Sequence, residues 1–552
     1  MKAIQYLLGG MCLAALPVAL QAQEQKKDTT LTRTVVVEQE YNPDILDAAK
    51  VNVLPRVEPP TVSKKAVAYD EKLTPATRIP AGLMQPYTGR ETLSKTPAGY
   101  ARLGYGNNNN LDLQAAYQFT LTDNDRLNLH LGMDGMNGKL DRGEGLEKWK
   151  SRYYRTRAGV DYQHRFRNLD FDLGGHFGLS NFNFMPGWED SKQKFTAGDV
   201  HLGLRNRNKD LVLDYALETN LLLYQRQHDP VAADAGENLI RTKAEVSGDI
   251  SDEQLIRIGF YMDNAFYREA AFDNCTSVGL NPAYRFHNDD WQLTLGAHVD
   301  MAFGFGKQFR AAPDVQVQYN FSDSYLLYAQ ATGGKRQNDF RQLESYNPYG
   351  QLFNQLDATY EQLNATIGFK ASPADELWFH VYGGYQDLKG DLFIVPDIIT
   401  GGTSPLSRLI LGQADARNVY VGGAVDYDYK QLFGFHASAI YRNWSTPTEE
   451  NAAYAESTIL GFKPALETDA RIDVQPLSAL RFSLGYRHIG RTKVEGERAD
   501  AVSDLYVSAH YELFRNILVY ARLNNLLNKN YQYYEGCPTQ GFNFLGGVSF
   551  RF

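Results

Sequence analysis

The sequence predicts an all-β protein: a transmembrane, antiparallel up-and-down β-barrel of about 22 strands, preceded by a Pro-rich extended N-terminal segment. Three observations carry this prediction. Long stretches alternate apolar and polar residues with period two, the pattern of strands with one greasy and one wet face. Short turns and long irregular stretches succeed one another along the chain, as the two rims of a membrane barrel require. Past residue 22, no apolar run reaches the ~18 residues that a transmembrane helix needs.

Composition is consistent with this reading once the averages are unpacked. Of 552 residues, 43% are apolar and 22% charged, and the mean hydropathy is −0.43, so hydropathy alone would assign the chain to water. A membrane barrel alternates lipid-facing and lumen-facing side chains, however, and scores as only half greasy. The net charge of −9 offers no electrostatic footprint for nucleic acid.

Residues 1–22 read as a secretory signal peptide: Lys2, an apolar run from Tyr6 to Leu20, and small Ala22 before a polar segment. Cys12 belongs to that leader. The two remaining thiols, Cys275 and Cys537, have no metal-ligand spacing and make no disulfide framework. Both fall in predicted outer loops, and a bridge between them requires loops folded over the mouth. Residues 23–97 form a Pro-rich arm holding eight of the 21 prolines, from Pro43 to Pro97, which excludes long helices and central strands. The arm is read as periplasmic or as threading the lumen. A barrel this wide leaves an aqueous channel if empty. The arm is the favoured filler, with inward-folded loops and a partner protein as the alternatives.

The barrel is assigned to residues 98–552. Leu111, Leu113, Ala115, Tyr117, Phe119 and Leu121 alternate with polar or small residues, then Thr122–Asp125 supplies turn chemistry, then Leu127, Leu129, Leu131 and Met133 resume the alternation. The same hairpin recurs around short turns near 165–168, 206–210, 251–253, 287–290, 322–324, 372–375, 430–432, 476–478 and 513–516. Stretches 137–149, 335–360, 389–415 and 446–463 read as long loops, and 383–428 is the least regular region. Phase holds within strands: Arg155, Arg157, Asp161 and Gln163 oppose Tyr154, Ala158, Val160 and Tyr162. A Lys or Arg on the lipid face at mid-bilayer costs ~2–4 kcal/mol, which explains why phase is kept. The strands run about 10 to 17 residues, longer than the ~5–6 of globular strands and enough to span a bilayer at a tilt. The last stretch, Gln540–Phe552, alternates to the final residue. It is expected to pair with 98–106 and abolish both sheet edges.

At the C-terminus, Leu523–Asn524–Asn525–Leu526–Leu527–Asn528–Lys529–Asn530–Tyr531 and the strand ending in Phe552 resemble TonB-dependent outer-membrane receptors. Pro313–Val315 through Tyr325–Ala329 resembles a mid-barrel hairpin of the same family. The resemblance implies a 22-strand barrel in the outer membrane of a Gram-negative bacterium. The Asn- and Tyr-rich loops are similar in style to Bacteroidota members. It also implies that Phe550 and Phe552 form the signal read by the barrel assembly machinery. The chain departs from the family in the arm, which is too short for the family's plug domain. Thr34, Val35, Val36 and Val37 look like a TonB box, a segment that adds a strand to the energy-coupling protein TonB. A β-prone valine run in a linker is the plainer alternative.

No catalytic arrangement of hydroxyl, His and acid is evident, and no enzyme activity, cofactor or metal is expected. His130, His164, His176, His201 and His510 lie within strands, on the polar face where it can be assigned, and read as solvated lumen residues, with lumen ligands as the alternative. Tyr346, Tyr349, Tyr531, Tyr533 and Tyr534 sit in or near outer loops. They are candidate contacts for a ligand or a lipoprotein partner, with an interfacial aromatic girdle as the alternative. Two functions remain open: transport of a nutrient or polymer across the outer membrane, or a non-transporting barrel that docks periplasmic or surface proteins.

Overall fold

The computed structural model describes residues 97–143, 147–184, 192–228, 235–268, 272–322, 324–399, 406–447 and 454–552. These residues form one closed 22-stranded antiparallel sheet in which each strand pairs with its sequence neighbours. Closure is made by the first strand, Gly99–Gly106, and the last, Asn543–Arg551, with Ala101 opposite Phe550 and Leu103 opposite Val548. The Gly99 N–H donates to the Phe552 carbonyl at 2.7 Å, and the Phe552 N–H donates back at 3.0 Å. The first and last strands thus leave no open edge between them in the wall, as contact with lipid requires.

All ten short turns fall on one rim, where the sequence places them; Thr122–Asp125 joins strands Leu111–Thr120 and Asp125–Leu140. The wall's exterior is apolar. Leu129, Leu131, Val160, Leu173, Phe177 and Val200 are all exposed on it, while their strand neighbours His130, Asp161, Gly174, His176 and His201 face the lumen. This is the alternation of lipid-facing and lumen-facing positions. Among the described residues no helix is long and apolar enough to cross a membrane.

The sequence reading needs one substantial correction. Residues 389–399 and 406–415 do not form an irregular loop: Leu377–Ile399 and Leu406–Tyr429, 23 and 24 residues long, run as paired strands well beyond the other walls. Alternation fails there because both faces of the extension are covered. Leu392 and Ile394 pack with Leu409 and Leu411 into one apolar cluster, while Phe393 joins Ala414, Ala416, Ile459 and Leu460 in another. A strand buried on both sides reads as a continuous apolar run, which period-two analysis passes over. Cys275 also opens the strand Cys275–His287 rather than lying in a loop.

The long-loop rim carries two short helices, α1 (Phe340–Tyr346) and α2 (Glu456–Leu460), and a two-residue-per-arm hairpin, Lys493–Val494 with Glu497–Arg498. Most of the buried apolar side chains sit at this end rather than along the wall.

Candidate functional site: a loop lid above a polar lumen

The loop that follows strand Tyr325–Arg336 turns inward and carries α1 into the mouth. Asp339 caps the helix by accepting from the Gln342 N–H at 2.8 Å. Phe340 and Leu343 are each 2% exposed. They pack with Phe182, Phe195 and Tyr224 from three adjacent wall strands and with Leu392, Ile394, Leu409 and Leu411 from the long hairpin. The Phe340 ring lies 6.0 Å from Tyr224 and 5.6 Å from Tyr267. Beyond the helix, Gln351 adds a rung to the free edge of the hairpin, its N–H donating to Leu409 O at 2.7 Å and its carbonyl accepting from Leu411 N at 3.0 Å.

Polar bonds pin this lid to the wall. Arg341 Nη2 lies 2.6 Å from Asp199 Oδ2. Glu344 accepts from Ser180 Oγ at 2.5 Å and from the Tyr224 hydroxyl. The Phe340 N–H donates to Glu237 Oε2 at 2.8 Å, and Arg241 bridges Asp339 and Asp263 at 3.3 and 2.9 Å. Arg226 donates to the Gly350 carbonyl at 2.8 Å, and its guanidinium lies 4.7 Å from the Phe195 ring centre. Charge-assisted bonds of this kind are the strong members of their class, and here they fix one loop to four neighbouring strands.

Below the lid the lumen is polar. On the wall under Arg341 lies a ladder of His130, Asp161, His176, Asp199 and His201, contributed by four consecutive strands. His176 Nδ1 is 2.6 Å from Asp199 Oδ1 and its Nε2 is 3.1 Å from Asp161 Oδ1. Elsewhere the lumen holds a cavity of about 320 Å³ lined by Tyr261, His298, Asp300, Lys335, Arg336 and Glu361, among others. His298 Nδ1 is 2.8 Å from Asn281 Oδ1 at its edge.

The structure distributes the residues singled out from sequence as follows. Tyr346 and Tyr349 belong to the inward-folded lid. The Tyr346 hydroxyl donates to Leu392 O at 2.8 Å, and the Tyr349 ring packs 5.5 Å from Trp149, 5.2 Å from Phe182 and 6.4 Å from Tyr534. Tyr531 is buried with Ile489 and Val502, with Tyr533 against it at 5.4 Å. Four of the five, Tyr349, Tyr531, Tyr533 and Tyr534, thus pack into apolar clusters at the mouth. Phe550 and Phe552 are exposed at the closing seam. Thr34, Val35, Val36 and Val37, with the leader and the Pro-rich arm, lie outside the described residues. Cys275 and Cys537 are free thiols even though loops do fold over the mouth; burial pushes the Cys537 thiol up, which leaves it unreactive.

Sequence reasoning missed the lid residues Phe340, Arg341, Leu343 and Glu344. It placed His130, His176 and His201 in the lumen one by one without bringing them together. Cross-strand register was the missing information: Gly159 stands opposite both His130 and His176, and Gly174 stands opposite both Asp161 and His201.

No protein-family model matches the chain, and no curated protein matches it by sequence. Solved structures do match. The copper transporter OprC aligns with a TM-score of 0.59 at 16% identity, over 82% of this chain and 80% of that one. The FrpB iron transporter of Neisseria meningitidis aligns with a TM-score of 0.64 at 13% identity, over 83% and 82%. The ferric enterobactin receptor PfeA of Pseudomonas aeruginosa aligns with a TM-score of 0.61 at 12% identity, over 82% and 80%. At such identities the likeness is one of fold, that of a closed 22-strand antiparallel barrel.

Proposed function

We propose that the chain is an outer-membrane transport barrel that admits a solute past a lid made from its own loop. The observation that carries this reading is the lid itself. Loop 337–358 folds into the mouth and is pinned by charged bonds at Arg341, Glu344 and Asp339, above a polar lumen wall. A barrel with only a structural task needs a filled interior, not a hydrophilic one held shut by a pinned loop. The neighbours in fold are described as transporters of copper and iron and as a ferric enterobactin receptor, which supports transport as the class and leaves the solute open.

On this reading the outward apolar belt lies in the outer membrane of a Gram-negative cell, and the long-loop rim faces outside. Phe550 and Phe552 serve the barrel assembly machinery. Thr34–Val37 is the segment through which TonB would pull. The test is solute flux in proteoliposomes holding the full chain. Unpinning the lid with Arg341→Ala and Glu344→Ala is expected to raise flux several-fold over wild type. Flux equal to that of empty vesicles in both, together with a stoichiometric protein partner purified from native membranes, would overturn transport in favour of a docking barrel.

A further inference from the structure

We propose that His130, Asp161 and His176 form a binding site for a divalent first-row transition metal such as Zn²⁺ on the lumen wall. The metal would be held by two imidazoles and one carboxylate, with the remaining position left to water.

Three imidazole nitrogens from three strands converge on the Asp161 carboxylate of a fourth. His176 Nε2 lies 3.1 Å from Asp161 Oδ1, His201 Nε2 lies 3.7 Å from the same oxygen, and His130 Nδ1 lies 3.7 Å from Oδ2. One donor atom each from His130, Asp161 and His176 fall within 4.8 Å of one another. Separations of 3.7 Å are too long for hydrogen bonds. They do suit ligands around a tetrahedral ion: with bonds of ~2.0–2.1 Å, tetrahedral donors stand roughly 3.3 Å apart. Imidazole with carboxylate is the donor set that borderline divalent ions take, rather than the all-oxygen set of Ca²⁺ or Mg²⁺.

The surroundings orient these ligands as a metal site requires. Asp199 Oδ1 lies 2.6 Å from His176 Nδ1 and takes the proton of that nitrogen in a hydrogen bond, which leaves Nε2 facing Asp161. With Asp161 Oδ1 3.1 Å away, Nε2 carries a second proton or takes a cation, and a metal ion competes with the proton for this position. Asp199 is itself fixed by Arg341, so the carboxylate–histidine pair that tunes a metal ligand is built from wall and lid together. The backbone has been cleared for the rings. A Cβ at Gly159 would stand 2.0 Å from His130 Cε1 and 2.4 Å from His176 Cδ2, and one at Gly174 would stand 2.0 Å from His201 Cε1 and 2.5 Å from Asp161 Oδ1. Only glycine at both cross-strand positions lets the three imidazoles lie against the wall, with neighbouring ring centres 5.3 and 5.2 Å apart. The side chains remain 24–44% exposed to the lumen, so an ion can enter.

The site is read by binding, so it stands or falls separately from flux. Zn²⁺ is titrated into untagged, detergent-purified full chain by calorimetry, and Co²⁺ is added in parallel to read coordination by visible absorption. Folding of every variant is confirmed by the compact migration of the unheated barrel in a denaturing gel. Wild type is expected to bind one ion per chain, with the intense Co²⁺ bands of a tetrahedral site. His176→Ala and Asp161→Asn are expected to weaken binding at least 100-fold. Asp199→Asn, which keeps all three ligands, is expected to weaken it about 10- to 100-fold. His436→Ala, a lumen histidine on another strand, leaves binding unchanged. Absence of Zn²⁺ and Co²⁺ binding by wild type, or binding that survives in folded His176→Ala and Asp161→Asn, would overturn the proposal.

Discussion

Arg341 on the lid and Asp199 on the wall meet at 2.6 Å, and the same carboxylate holds His176 at 2.6 Å. One buried acid therefore joins the closure of the mouth to the histidine ladder beneath it. Asp199 is 5% exposed and Arg341 48% exposed, so the pair lies between the ~0–1 kcal/mol of a surface ion pair and the ~3–5 kcal/mol lost on breaking a buried one. Arg341→Gln is expected to weaken lid closure by about 1–2 kcal/mol, roughly a 5- to 30-fold rise in the open population. Hydrogen exchange of the α1 amides in the folded barrel reads this directly.

Phe340 is the apolar counterpart of that pin. It is 2% exposed among Tyr224, Tyr267 and Phe272. Truncating a buried Phe costs ~3–5 kcal/mol, and here the loss falls on a loop rather than on the sheet. Phe340→Ala is expected to open loop 337–358 to protease while the barrel keeps its β-sheet signal and its compact gel migration. Loss of both together would place Phe340 in the barrel's own folding instead.

Glu535 gives the outer loops a pH dependence. Burial pushes its carboxyl from 4.5 up to about 7, against the pull of Arg491 and Lys463. A raised folded-state value in an acid means that the closed loop binds its proton more tightly than the open one. The contribution is therefore complete below about 4.5 and is lost as pH rises through about 7. Loop 525–542 is expected to exchange faster at pH 8 than at pH 5 after correction for intrinsic rates. Glu535→Gln is expected to flatten that difference.

The barrel was legible in the sequence because lipid enforces alternation. Leu127, Leu129 and Leu131 against Asn128 and His130 leave only one phase, and the ten turns then set the strand count. The end strand and its partner followed from the same logic, since Gly99–Gly106 and Asn543–Arg551 are the two edges that remain. The mouth was not legible. Leu392, Phe393 and Ile394 are apolar on both faces because each face meets a different loop. The lid residues Phe340 and Leu343 look like any short amphipathic stretch until the wall is in place. The histidine ladder depends on register across four strands, which no local pattern encodes.

The seam offers a test of assembly. Phe552 makes the last two backbone bonds of the closure, both with Gly99, and its ring lies 5.9 Å from Tyr117. Deleting Phe552 is expected to remove both bonds and slow barrel formation several-fold, read as the fraction of compact, heat-modifiable protein over time. An unchanged rate in lipid and in cells would exclude a role for this residue in closure and assembly.

The central claim is that loop 337–358 is the seal of an otherwise passable lumen, and single-channel recording tests it most directly. The full chain is compared in planar bilayers with a variant whose residues 338–356 are replaced by a short Gly-Ser linker, and both are repeated without residues 24–97 to separate the arm's contribution. Closed or rare openings are expected for wild type, and large, stable conductance for the linker variant, at the latest once the arm is removed. Equal conductance with and without the lid in both backgrounds would contradict it.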